Sequence, residues 1–260
     1  MNVNKIFDYD DFSSDELSQY RHLFGGLSRK SWKNLILMYG FDKLGCLEGD
    51  KVALGLGCLI EPLIFVYANF CKHVYVTDRA YSPGIMWGKQ NYTPEQVYTF
   101  NKIPYDKSKL TVLPMDMKQL DFDDSMFDFV WSSSSVEHVG MLEDVLRCFG
   151  EIERVLKPGG VCGMTVEWNL EPTDKILKFG NILCFDTNVL DAISKKCPTL
   201  KLIEPVVTAR SDNPKNREPA FLRGKTNFPN VHKWVDFTSA SIFWRKVTNP
   251  SLDPYREWYS

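Results

Sequence analysis

The sequence predicts an α/β protein with a seven-stranded, mostly parallel sheet, helices on both faces and further helices at the N-terminal end. Two observations lead there. From residue 51 onward, short β-branched and apolar runs alternate with helical segments, the pattern of successive βαβ units. The first of these runs, KVALGLGCLIEP at 51–62, passes from a strand through a glycine turn into a helix. With 260 residues, 44% hydrophobic and 25% charged, the chain can bury one large core, so a single domain over 1–260 is expected.

Ser13 and Glu16 are spaced as a capping box, opening a helix through about Phe24 that stops at Gly25–Gly26. A second helix is expected over Ser31–Tyr39, with Trp32, Leu35, Ile36 and Tyr39 on one face and Gly40 closing it. Strands follow at Val52–Leu56, His73–Thr77, Leu110–Pro114, Phe127–Ser132, Val161–Val166, Leu202–Val207 and Ala240–Val247. Between them lie helices at Glu61–Phe70 and Leu142–Leu156, the second with Leu142, Val145, Leu146, Phe149, Ile152 and Leu156 at helical spacing. Residues 79–109 and 208–239 are long connections of the kind that form lids or binding segments.

The formal net charge of −2 creates no field that draws a protein onto nucleic acid or an anionic membrane. Seven cysteines, scattered without CxxC or zinc-finger spacing, argue against a disulfide framework and a structural metal. The opening stretch, MNVNKIFDYDDFSSDELSQY, is acidic and polar rather than basic and then apolar, so it is no secretory signal. No run approaches the roughly 20 apolar residues that span a bilayer. A cytoplasmic location is the expectation.

Two features carry chemistry directly. Gly55 and Gly57 let backbone approach a nucleotide, since glycine tolerates positive φ and has no side chain in the way. Asp78 ends the next strand, roughly 20 residues on, where a carboxylate accepts from ribose hydroxyls. An NAD-dependent oxidoreductase shares both features. It is disfavoured because Gly55-Leu56-Gly57-Cys58-Leu59 is followed by Ile60, which breaks the GxGxxG spacing.

The run LTVLPMDMKQLDFDDSMFDFVWSSSSVEHVG, followed by EDVLRCFGEIERVLKPGG, resembles the Rossmann-like class I S-adenosylmethionine-dependent methyltransferases over about residues 50–167. The resemblance implies S-adenosylmethionine as cofactor. It places Asp116 at the adenine amino group, the Met117 amide at a ring nitrogen and Asp78 at the ribose. Gly55 to Glu61 would surround the methionine moiety, and Ser132, Ser133 and Ser134 would close the pocket. The family usually has an acid where Gly55 stands and a glycine where Leu59 stands, so Glu61 is the candidate replacement anchor.

Methyl transfer asks for alignment and, with hydroxyl or ammonium acceptors, one base. His138 is the candidate base and Glu137 the group that orients it or contacts the acceptor. The expected acceptor is a small molecule. The segment 208–235 has six Lys/Arg against two Asp/Glu, with Phe221, Phe228 and Trp234, and suits an anionic one. Tyr81, Trp87, Tyr92, Tyr98, Phe100 and Tyr105 in 79–109 suggest an aromatic lid, and Tyr20, His22, Arg29, Lys30 and Trp32 are placed to cover the same opening. A noncatalytic protein of the same fold, binding cofactor or partner, is the alternative motivated by Gly55 and Leu59.

Overall fold

A computed structural model describes residues 1–85, 92–99, 102–171, 176–217, 223–225 and 234–251. In chain order it contains β1 (Lys5–Ile6), α1 (Asp15–Ser18), α2 (Arg21–Phe24), α3 (Arg29–Lys43), β2 (Val52–Leu56), α4 (Pro62–Phe70), β3 (His73–Asp78), α5 (Pro94–Thr99), β4 (Leu110–Pro114) and β5 (Phe127–Ser133). These are followed by α6 (Leu142–Val155), β6 (Leu156–Asn169), β7 (Lys178–Phe179), β8 (Ile182–Leu183), α7 (Thr187–Lys196), β9 (Leu200–Leu202), β10 (Arg223–Lys225) and β11 (Trp234–Lys246).

The main sheet has the order β1-β11-β6-β5-β2-β3-β4, and β9 and β10 also pair with β11. Strands β4, β3, β2, β5 and β6 run parallel, whereas β11 is antiparallel to β6. The fold class is therefore as predicted, with nine strands in place of seven because β1 and β10 add short antiparallel edges to β11. Chain order reverses between β2 and β5. Connections leave these strands in opposite directions and open a crevice at their carboxyl ends.

Alternation along each strand builds two cores. Phe129, Trp131 and Phe243 pack with Trp32, Phe41 and Tyr67 of α3 and α4. Val130 and Trp244 face the other way, toward Phe149, Ile152 and Ile193 of α6 and α7. Each such side chain, fully buried, contributes about 1.5–3 kcal/mol.

The N-terminal region differs from expectation. The helix cap falls on Ser14, whose hydroxyl accepts from Leu17 N at 3.3 Å, and the run breaks into α1 and α2. Tyr20, at the break, is buried and hydrogen-bonded to Asp42 of α3. Helix α3 begins earlier than predicted because Ser28 and Ser31 form a reciprocal cap, and it runs on through Gly40. Ten of its residues are buried, so it is a core element rather than a half-exposed cover.

Gly40 does not end the helix; it admits a ring. A Cβ there would sit 2.2 Å from Phe243, and one on Gly163 would sit 2.4 Å from the same ring. The predicted strand Leu202–Val207 also shortens to β9. Glu204 leaves the ladder to accept from Asn4 N at 3.1 Å, Pro205 has no N–H to donate, and Val207 bridges Lys5.

These glycines set the distance between α3 and the sheet. Gly40→Ala and Gly163→Ala should each lose about 1–3 kcal/mol through overpacking, read as a lower urea midpoint with unchanged m. Unaltered midpoints would mean that Phe243 moves aside freely.

Candidate active site

The crevice begins at the turn after β2. As the chain leaves the sheet, the backbone carbonyls of Gly55, Leu56, Gly57 and Leu59 each accept from a side-chain hydroxyl. Thr77 donates to Gly55 O (3.1 Å), Ser132 to Leu56 O (3.0 Å), Ser135 to Gly57 O (2.7 Å) and Tyr81 to Leu59 O. The amides are held as well: Gly57 N donates to Thr77 O at 2.8 Å and Leu59 N to Asp78 Oδ2 at 3.1 Å. Gly57 has φ 67°, and a Cβ on it would fall 2.5 Å from Ser135 and 2.9 Å from Met117. Only glycine fits there.

Leu59 is also left-handed, at φ 45°. The backbone thus keeps the conformation of the family's glycine while carrying a leucine, a strain of about 1–3 kcal/mol that the hydrogen bonds from Leu59 N and to Leu59 O hold in place. Gly55 has a different reason. A Cβ there would meet the Trp131 ring and Cys58 Sγ at 2.4 Å, so the space of the family's acidic side chain is filled by the indole. Trp131 Nε1 in turn donates to Glu61 Oε1 at 2.6 Å. Burial raises the Glu61 carboxyl to about 7, against the hydrogen bonds from Trp131 and Cys58.

Asp78 accepts from Leu59 N and, at 2.8 Å, from Ala80 N, which leaves a lone pair on each oxygen. Burial pushes its carboxyl above the ordinary value and the two amides oppose this. Asp116 follows β4, takes Lys118 N at 2.9 Å and lies 3.7 Å from Arg79. After β5, Ser134 sits at φ 55° and a single 3-10 turn, Val136–His138, carries Glu137 and His138. Burial lowers the His138 pKa and Lys33 adds to this, while Glu167 opposes it. The ring is therefore neutral at physiological pH and able to accept a proton.

These elements enclose a cavity of 1280 Å³. Of the predicted residues, Gly57, Glu61, Asp78, Asp116, Met117, Ser133 and His138 line it. Gly55, Ser132 and Glu137 stand behind its wall, Gly55 against Trp131 and Ser132 with its hydroxyl spent on Leu56 O. Glu137 is fully buried, its oxygens take no hydrogen bond from another described residue, and burial raises it to about 8 with Glu167 adding and Lys33 opposing.

The covering segments divide. Tyr92 of 79–109 lines the cavity with Ile85, Gln96 and Thr99. Tyr81, Tyr98 and Tyr105 instead form satellite packing: Tyr81 holds the turn, Tyr98 OH donates to Leu110 O, and Tyr105 donates to Tyr98 O and stacks near Phe65. Trp87 and Phe100 lie outside the described residues, as do Phe221 and Phe228. Of the basic segment 208–235, none of the described residues lines the cavity. Ser211 and Asn216 are instead tied to Asp8, at 2.7 and 2.9 Å.

Helix α3 supplies the opposite wall through Arg29, Lys30, Lys33 and Asn34. Trp32 points away, donating to Asp11 Oδ2 at 2.8 Å. Lys33 pairs with Glu167 of β6 at 2.7 Å, and Arg29 reaches the same carboxylate at 3.3 Å. Burial raises Glu167, but Lys33 and Arg29 together hold it below the ordinary carboxylate range. Lys33 and Glu167 escaped the sequence reading. Their only local signal is a lysine on a helix and a glutamate at a strand end, and they meet 134 positions apart.

The class follows from this arrangement and from comparison with known proteins. Residues 54–164 match the family model described as "Methyltransferase domain", and over that stretch the chain carries a methyltransferase domain of the Rossmann-like class. Among similar proteins, a sterol 24-C-methyltransferase of Yarrowia lipolytica is 36% identical over 126 residues, 48% of this chain and 29% of that protein. The chain thus spans about a third of that relative. The crystal structure of the [4+2]-cyclase SpnF superposes with TM-score 0.54 at 16% identity, over 84% of each chain. A SAM-dependent methyltransferase from Aquifex aeolicus superposes with TM-score 0.51 at 15% identity, over 93% of this chain and 100% of that one. At these identities the two structures establish the fold alone.

The residues fit the cofactor of this class. Three carboxylates from β3, β4 and α4's N-cap share one cavity with a glycine cradle that a Cβ would fill.

Glu137 gives a test of the wall's electrostatics. Unfolded, it ionises near the ordinary 4.5; folded, near 8. Between these values the native state binds the extra proton, so this group's stabilisation is complete below 4.5 and is lost as pH rises toward 8. Glu137→Gln should therefore vary less in urea midpoint from about pH 5 to 8 and exceed wild type at the upper end. A variant that tracks wild type throughout would mean the native carboxyl ionises normally.

Proposed function

We propose that this protein transfers a methyl group from S-adenosylmethionine to a small-molecule acceptor bearing an anionic group, with His138 as general base. The observation that carries this is the cavity itself. Its 1280 Å³ exceeds the roughly 300–1,000 Å³ of a site for one small molecule. Acidic side chains line it on the β3–β4 side, with a neutral imidazole and a basic helix face across from them.

When bound, the cofactor supplies an electrophilic methyl group. The chain supplies the rest. Asp78 offers its free lone pairs to ribose hydroxyls, Asp116 accepts from the adenine amino group and the Met117 amide faces the ring. Glu61, oriented by Trp131, takes the ammonium group in place of an acid at position 55. His138 receives the acceptor's proton, and Glu137, behind it, keeps the surroundings dry and apolar enough for the imidazole to stay neutral. Ser133 borders the cofactor pocket near Glu61.

A carbon acceptor is the second reading, favoured by the sterol 24-C-methyltransferase relative. Against it stands the α3 wall, which lies outside the matched domain and carries three cations. Either acceptor gives up a proton to a base, a heteroatom at the reacting atom and a carbon nucleophile after the methyl group adds, so the α3 cations rather than His138 separate the two readings.

Calorimetric titration with S-adenosylmethionine, S-adenosylhomocysteine and NAD tests the cofactor half. The first two should bind and NAD should not, and Asp78→Ala, Asp116→Ala and Glu61→Gln should each weaken binding by about tenfold or more. Full affinity in Glu61→Gln would remove Glu61 as anchor, and absence of binding to folded wild type would end the enzyme reading. His138→Ala should keep cofactor affinity and lose about 10²–10⁴-fold in turnover. Near-normal turnover in that variant would remove His138 from the mechanism.

A further inference from the structure

Helix α3 begins against its own electrostatics. Arg29 and Lys30 stand in its first turn, which contains no acidic residue. Cations there oppose the positive N-terminal end of the helix and destabilise it. Helix stability therefore does not explain them. Both line the cavity, as does Lys33 one turn on.

Resident anions do not balance this group. Glu167 answers Lys33 at 2.7 Å and Arg29 only at 3.3 Å, while the remaining contact of Arg29, to Ser239 Oγ, is 3.4 Å long. Most of the guanidinium's donors stay available. Lys30 forms no ion pair among the described residues and is exposed. Glu137, the other acid nearby, is buried and carries a raised pKa, so it supplies no counter-charge at neutral pH. Three cations thus face one carboxylate. Arg29 and Lys33 are largely shielded from water, with side chains 26% and 12% exposed, which strengthens their hold on a ligand anion.

The site is also placed with respect to chemistry. Glu167 ends β6, so the cationic wall lies on the β6 side of the crevice, whereas Asp78 and Asp116 lie on the β3–β4 side. His138 feels both Lys33 and Glu167, which sets the base beside the wall.

We propose that Arg29, Lys30 and Lys33 form the acceptor-docking subsite and take an anionic oxygen group, carboxylate or phosphate, of the molecule whose nucleophile faces His138. This rests on the methyltransferase reading for what the bound molecule is used for. The anion site itself does not depend on it. The acceptor is accordingly compact, since the anchored anion and the reacting atom both lie close to Lys33.

Calorimetry on wild type, with and without S-adenosylhomocysteine, using inorganic phosphate and malonate as probes, separates the two. Saturable binding is expected, weakened about tenfold in Lys30→Gln and lost in the Arg29→Gln/Lys30→Gln double variant, with Lys30→Arg restoring it. Tighter phosphate points to a phosphorylated acceptor, tighter malonate to a carboxylated one. No saturable binding of either probe to wild type, or equal binding in the variants, overturns the subsite. Lys30 is exposed, so its variants fold, and Lys30→Gln alone keeps the test intact if Arg29→Gln proves unstable. A protein that binds these anions but not S-adenosylhomocysteine would keep the subsite and lose the methyltransferase reading; the reverse pattern would do the opposite.

Discussion

Everything at the crevice depends on satisfying the backbone where β2 stops being a strand. A buried carbonyl without a partner costs on the order of 1–3 kcal/mol, and between Gly55 and Leu59 four carbonyls accept from side-chain hydroxyls where the strand ends. The hydroxyls of Thr77, Ser132, Ser135 and Tyr81 come from β3, the end of β5 and the turns beyond them. The turn is thereby bolted to both strands that flank β2. Asp78 joins the same network through Leu59 N, so its carboxylate and the glycine cradle form one unit.

That unit tolerates an unusual sequence because its volume is conserved. Gly55 gives up a side chain, Trp131 fills the space, and the indole N–H directs Glu61 into the cavity from the start of α4. The carboxylate is displaced in sequence by six positions while serving the same cavity. Its burial raises the pKa, so a cationic partner that pairs with it also favours its ionised form.

Helix α3 joins fold and site. Its buried face, with Trp32 and Phe41, holds the sheet through the glycine gaps at Gly40 and Gly163. Its first turn presents cations to the cavity, and Lys33–Glu167 ties the two roles together. This wall of the cavity is for that reason anchored in the core. Ile85, Tyr92, Gln96 and Thr99 of 79–109 add a wall built outside the sheet and α3.

Local pattern was enough for the alternating strands and helices of residues 51–169, because period and turn chemistry act within a few residues. It was also enough to bring Asp78, Asp116 and the turn at Gly57 to one cavity, since each stands where a strand ends. It misplaced Gly40, which answers to a phenylalanine 203 positions away, and the strand at 202–207, which gives way to Asn4 and Glu204. Nor does local pattern show that Ser211 and Asn216, in the basic segment 208–235, are tied to Asp8 some 200 positions away. Which residues stand behind the cavity wall and which line it, and the meeting of Lys33 with Glu167, only tertiary structure decided. Such pairings depend on packing across the sheet, and no spacing along the chain encodes them.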